Sequence, residues 1–239
     1  MVGLALRSAL FNLLFFGWSA LLAVLFGPLL PLLSHARVLW LGRLWARTIL
    51  GLLGRIIGLG HEVRGWDNVP RGPKILAVKH QSAWDTVVFL LLLDDPAYVI
   101  KRELLRIPLF GGYLRRVGMI AVDRRGGARA LRALVRDSEA ALAAGRPVVI
   151  FPEGTRVAPG ERRPYHPGIA ALYLRTGAAV VPVALNSGRF WGRRSFLKRP
   201  GRIVLEFLPP IEPGLGRKAF GQELERRIET ACQRLDDGE

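Results

Sequence analysis

The stretch Lys79-His80-Gln81-Ser82-Ala83-Trp84-Asp85-Thr86 places an imidazole and a carboxylate five residues apart at a polar corner. An apolar run, Ile75-Leu76-Ala77-Val78, leads into it, and a second, Val87 to Leu93, leads out toward Asp94-Asp95-Pro96. The pattern predicts a buried strand, a turn and an apolar helix. In open α/β sheets, ligands bind beyond the carboxyl ends of strands, where such turns lie. A helix advances about 100° per residue, so positions five apart diverge by roughly 140°. His80 and Asp85 therefore meet only if His80 is on the loop and Asp85 is in the first turn of the helix. Ser82 is the expected N-cap. So arranged, the carboxylate orients the imidazole and leaves its other nitrogen free as a base. An unperturbed histidine, with a pKa of about 6.5, is largely neutral at pH 7 and can accept a proton.

Three further corners follow apolar runs. Asp123-Arg124-Arg125-Gly126-Gly127 precedes a helical pattern. Its arginines and the helix N-terminus suit an anion such as phosphate, and a solvated basic turn is the plainer alternative. Phe151-Pro152-Glu153-Gly154-Thr155-Arg156 gathers a carboxylate, a glycine, a hydroxyl and a guanidinium after the run 147–151. Pro152 stiffens the turn and Gly154 permits close backbone approach. A capped turn with an internal Glu–Arg pair would read the same way. The third corner is Val180-Val181-Pro182-Val183-Ala184-Leu185-Asn186-Ser187-Gly188, whose proline implies an edge or a bulge and whose role is to shape a site wall.

Elements that could position these corners alternate. Strands are expected over 75–78, 97–100, 119–122, 148–151, 180–184 and 203–207, with a short one near 62–65. Helices are expected over 84–93, 103–114, 128–144, 168–175 and 218–235. The fold class is therefore α/β, a mainly parallel sheet flanked by helices. Residues 61–239 form that domain.

Residues 1–60 read differently. No Lys, Arg, Asp or Glu occurs from Ser8 to His35, and the apolar core ends at Gly27-Pro28. A spanning helix needs about 20 apolar residues, and this run qualifies; a signal peptide would have a shorter core and a small-residue cleavage site. A basic, Trp-containing segment follows, with Arg37, Arg43, Arg47 and Arg55 among leucines. It suits a membrane interface, or a helix packed on the main domain. Whether the first segment spans or makes a shallow hairpin at Gly27-Pro28 stays open. Arginines after the apolar run place the domain on the cytoplasmic side.

The chain of 239 residues carries 35 Lys+Arg against 19 Asp+Glu, a net charge of +16, which calls for an acidic partner. Arg189 to Arg199 interleaves cations with Phe190, Trp191 and Phe196. Beside an apolar N-terminus this favours membrane lipids or an acidic carrier protein over nucleic acid. Cys232 is the sole cysteine, so no internal disulfide forms, and no Cys/His cluster implies a metal. His35 and His61 match no motif and are expected to be structural.

Taken together, the corners resemble the glycerolipid acyltransferases. His80-Gln81-Ser82-Ala83-Trp84-Asp85 is similar to the family's first block. Lys101-Arg102-Glu103-Leu104, Pro108, Gly111, Gly118 and Ile120-Ala121-Val122-Asp123-Arg124 are similar to its second. Phe151 to Arg156 is similar to the third and Val181-Pro182-Val183 to the fourth, all in the family's order over roughly 75–184.

The resemblance implies acyl transfer from an acyl thioester, carried by acyl carrier protein or coenzyme A, to the sn-2 hydroxyl of 1-acyl-sn-glycerol-3-phosphate. It implies His80 as general base oriented by Asp85, with no acyl-enzyme and no cofactor. Arg124, Glu153, Gly154, Thr155 and Arg156 would bind the phosphate and shape the acceptor site, with Lys101 a lesser candidate. Glu153 is expected to hold Arg156 or a hydroxyl. Ser82 and Cys232 are not expected to be nucleophiles. A bacterial inner membrane is the implied location. The family often has an aromatic, a lysine and a glycine after the third block. Here Tyr165-His166-Pro167-Gly168 stands instead, leaving His166 as a substitute donor that is charged less of the time. Another acceptor (glycerol-3-phosphate, a lyso-ornithine lipid, another lysophospholipid) or a non-catalytic membrane scaffold are the rival readings.

Overall fold

The computed structural model describes residues 2–238; Met1 and Glu239, the outer ends of the two expected segments, lie outside them. The chain opens with α1 (Val2–Phe26), apolar on every side, which stops at Gly27-Pro28. It is long and apolar enough to cross a membrane by length and composition. Ser34 caps α2 (His35–Leu52), its hydroxyl accepting from the Arg37 N–H, and a π turn over Leu53–Ile57 carries the chain into the sheet.

The strands are β1 (Leu59–Arg64), β2 (Lys74–Val78), β3 (Ala97–Lys101), β4 (Ile120–Val122), β5 (Val148–Ile150), β6 (Ala179–Leu185) and β7 (Gly201–Phe207). They form one seven-stranded sheet in the order β1-β7-β6-β2-β5-β3-β4. Every pairing is parallel except β6 with β7. Between them run α3 (Trp84–Leu92), α4 (Phe110–Arg116), α5 (Gly127–Ala143) and α6 (Pro167–Thr176), and α7 (Arg217–Asp237) follows β7. The expected mainly parallel α/β fold is therefore the one observed.

The period-two alternation of β2 divides the molecule into layers. Ile75 and Ala77 point into one core with α5, α6 and α7. Leu76 and Val78 point into the other with α2, α3 and Phe11 of α1. β2 lies at the centre of the sheet, so the corner that follows it opens between both layers.

Three local expectations are corrected. The helix expected over 103–114 is broken: a 3-10 turn (Arg102–Arg106) and α4 are separated around Pro108, whose ring cannot continue the first helix. Ser82 is not the N-cap of α3. That position is Ala83, while the Ser82 hydroxyl accepts the Trp84 N–H at 3.1 Å one residue earlier. Pro182 is not on an edge strand, because β6 is flanked by β2 and β7. Its carbonyl accepts the Leu208 N–H, so its missing N–H faces the 208–210 detour, where the chain leaves the ladder before rejoining at Ile211.

The helix α1 lies against the domain. Ser8 and Phe11 are buried. Lys198 Nζ donates to Asn12 Oδ1, the Trp45 indole donates to Ser19, and the Trp191 ring meets Phe11 and Phe15 edge-on. The opposite side, including Leu6, Leu13, Phe16 and Val24, is exposed. α2 buries Val38, Leu41, Ala46 and Ile49, with Arg37 and Arg47 outward, and Arg55 of the π turn is exposed as well. It is thus packed on the domain by one face and basic on the other.

Candidate active site

The β2–α3 corner brings His80 and Asp85 together as the spacing requires. His80 Nδ1 is 3.0 Å from Asp85 Oδ2. The same oxygen accepts the backbone N–H groups of Gln81 at 2.7 Å and Ser82 at 2.8 Å. Oδ2 already accepts two backbone N–H groups, and the tautomer with the proton on His80 Nδ1 adds a third donor to it. Asp85 is fully buried in the first turn of α3, where the helix end favours a negative charge. His80 Nε2 is left with its lone pair. The His80 ring stacks on Phe151, with centroids 4.1 Å apart, and lines the large cavity.

The loop after β5 holds this corner from both ends. The His80 N–H donates to Glu153 Oε2 at 2.9 Å, and the Val157 N–H donates to the His80 carbonyl at 2.8 Å. The expectation that Glu153 holds Arg156 is not met. Its carboxylate is turned inward, 3% exposed, and does not line the cavity. Glu153 Oε1 lies 2.7 Å from Lys79 Nζ, which also donates to Glu229 of α7 at 2.7 Å; Tyr165 donates to Glu229 in turn. A hydrophobic surrounding makes an isolated carboxylate costly, and the lysine between two of them is the reason they can be there. Burial raises the Glu153 pKa, with Lys79 and the His80 N–H pulling it back down in part. Burial alone would lower the Lys79 pKa, but Glu153 and Glu229 more than offset it.

A cavity of about 1290 Å³ extends from His80. Its lining is apolar at Phe15, Phe16, Ala23 and Phe26 of α1 and at Leu90, Leu114 and Leu134. The same lining is cationic elsewhere. Lys101, Arg124, Arg156, Arg193 and Arg194 belong to it, together with Gly154, Thr155 and His166. Gly154 has φ of +65°, and a Cβ there would sit 2.7 Å from the His166 ring and 3.2 Å from the Arg124 guanidinium carbon. The residue must therefore be glycine for the two side chains to converge above it. Burial lowers the Arg124 pKa, partly offset by Glu103. An anion entering here would restore what the guanidinium has lost in hydration.

Of the eight residues expected at the site, six line the cavity; Glu153 is turned away from it and Asp85 lies buried behind His80. Three contributors were not singled out from sequence. Lys79 carried a signal, an ionisable residue ending an apolar strand. Glu229 and Ser187 carried none, since they are 150 and 102 residues from their partners. Cys232 is buried on α7, its thiol pushed up to about 12 by that burial, and it does not line the cavity.

Comparison with known proteins agrees with the geometry. The family model described as acyltransferase matches residues 60–186. A 1-acyl-sn-glycerol-3-phosphate acyltransferase from Pseudomonas aeruginosa is 35% identical over 95% of this chain and 88% of its own length. A lyso-ornithine lipid O-acyltransferase from the same organism is 29% identical over 84% of this chain and 80% of its own. The crystal structure of the 1-acyl-sn-glycerophosphate acyltransferase from Thermotoga maritima superposes with a TM-score of 0.78 at 22% identity, covering 97% of both chains, and shows the same fold.

Proposed function

The chain belongs to the acyltransferase family, and on that premise we propose that it acylates the sn-2 hydroxyl of 1-acyl-sn-glycerol-3-phosphate to give phosphatidic acid. The observation that carries this reading is one cavity lined by three kinds of group: His80, backed by Asp85, a set of cationic side chains, and apolar side chains that include those of α1. A lysophosphatidate has matching parts, a hydroxyl, a phosphate and an alkyl chain.

In the proposed reaction His80 Nε2 takes the proton of the acceptor hydroxyl as its oxygen attacks the thioester carbonyl. The new C–O ester bond forms, the C–S bond breaks, and the departing thiolate takes the proton back from the imidazolium. Asp85 stabilises that imidazolium and fixes its tautomer. No acyl-enzyme is needed, because Ser82 is occupied by the Trp84 N–H and Cys232 is off the cavity. Arg124, Arg156 and Lys101, with His166, hold the phosphate; Gly154 and Thr155 shape the wall beside it. Acyl carrier protein or acyl-coenzyme A supplies the acyl group, and no cofactor takes part.

The docked, outward-apolar α1 supports a membrane-attached enzyme whose helix lies in lipid while its inner face walls the cavity. The basic face of α2 supports contact with acidic headgroups, on the cytoplasmic side of a bacterial inner membrane. Assay of the purified protein against lysophosphatidate, glycerol-3-phosphate and lyso-ornithine lipid, each with both thioester donors, tests the reading. Preference for lysophosphatidate is expected, since the cationic cluster serves a phosphate. Preference for the phosphate-free lyso-ornithine acceptor would replace it.

A further inference from the structure

Asp85 is served by a fourth donor that comes from a distant part of the chain. Ser187 Oγ donates to Asp85 Oδ1 at 2.5 Å, and both residues are fully buried. The three other donors, His80, Gln81 and Ser82, all converge on Oδ2. Among the described residues, Oδ1 therefore has Ser187 as its one donor. Without it, a buried oxygen loses the partner it has among the described residues, and the carboxylate, then held through Oδ2 alone, gains freedom about its terminal torsion, which is broad for aspartate.

The position of Ser187 is itself fixed from several sides. It follows β6, the strand beside β2, and opens the 3-10 turn Ser187–Arg189. Asn186 accepts from the Val204 N–H and donates to the Leu235 carbonyl, while the Gly188 N–H donates to Gln81 of the same corner. The Ser187 carbonyl accepts the Trp191 N–H at 2.9 Å, and Trp191 in turn abuts Phe11 and Phe15 of α1. The hydroxyl is thereby aimed at Oδ1 with little freedom to leave it.

From this geometry we infer that Ser187 is a positioning residue for catalysis, locking the Asp85 carboxylate so that its other oxygen holds His80 in the proton-accepting tautomer. The inference rests on the proposed role of His80 as base. Ser187 touches no substrate; it acts through Asp85, as the third member of a Ser187–Asp85–His80 relay of orientation rather than of protons.

The test uses the full chain in micelles with acyl-coenzyme A and lysophosphatidate. Ser187→Ala is expected to lower kcat about ten- to a hundredfold, the effect of one lost hydrogen bond to a charged group, with KM within about twofold. In an Asp85→Asn background the same change is expected to cost less than about twofold, since the residue through which it acts is already altered. Ser187→Cys, close in size but a weak donor, is expected to show a several-fold loss of kcat, and it decides the matter if the alanine variant does not fold. A kcat equal to the native value in Ser187→Ala or Ser187→Cys overturns the inference. So does an equal fold-loss with and without Asp85→Asn, which marks a role unrelated to the carboxylate. His80→Ala separates the two levels: full activity there removes the base itself, whereas an inactive His80→Ala beside a fully active Ser187→Ala removes only the role of Ser187.

Discussion

Glu153 Oε2 accepts the backbone N–H of His80 at 2.9 Å, so the acidic residue of the β5 loop grips the histidine's main chain. Its other oxygen faces Lys79, and neither oxygen lines the cavity. Glu153→Ala should therefore act on stability before it acts on acceptor binding. Removing one partner of a buried pair is expected to cost about 3–5 kcal/mol. Unfolding followed by heat or denaturant should show that loss, with the acceptor KM within about twofold in whatever folds. A tenfold rise in acceptor KM at native stability would instead make Glu153 a headgroup ligand.

Lys79→Met should make stability steeply dependent on pH. Lys79 draws the Glu153 pKa down, yet burial still leaves it above the ordinary 4.5. Without the ammonium the folded-state pKa rises further. A carboxyl with a raised folded pKa stabilises the fold below its unfolded value, and that stability is lost as pH rises through the folded value. The deficit of the variant against the native chain should be larger at pH 8 than at pH 5, read as the difference in unfolding midpoint. An equal deficit at both would mean that the two carboxylates are satisfied without Lys79.

Cys232 should be inert. Its thiol, on the buried face of α7 and pushed up to about 12 by that burial, is almost wholly protonated at pH 8. A maleimide or iodoacetamide should label it only after unfolding, and Cys232→Ala should keep at least about half of the native kcat. Rapid native labelling that abolished activity would reopen a covalent route.

The fold was legible in the sequence where periodicity is local. The β2 strand and the α3 helix are legible, though not the cap of α3, because Ile75 to Val78 and Val87 to Leu93 are unbroken apolar runs at a polar hinge. The pairing of His80 with Asp85 followed from helical geometry. What was not legible depends on contacts far along the chain. Nothing near Ser187 names Asp85 as its partner, and nothing near Lys79 names Glu229. The break in the helix expected over 103–114 has a local sign in Pro108, whose ring ends the first turn. The partner of Glu153 is hidden for a related reason: Arg156 is the nearest cation in sequence, whereas the sheet brings Lys79 to it.

The cationic part of the cavity should discriminate acceptors by their phosphate. Arg124→Gln and Arg156→Gln are each expected to raise the KM for lysophosphatidate about tenfold or more, through loss of charge-assisted hydrogen bonds. The KM for a phosphate-free acceptor should change far less. Equal effects on both acceptors would move these arginines from the headgroup to the donor or to the fold.

The most direct test of the account is the rate of acyl transfer by His80→Ala, measured with lysophosphatidate and a thioester donor alongside a check that the variant unfolds at the native midpoint. Loss of the base is expected to lower kcat by about 10²–10⁴-fold with little change in KM. A folded His80→Ala that transfers acyl groups at the native rate would contradict the central claim that the imidazole at this corner carries the chemistry.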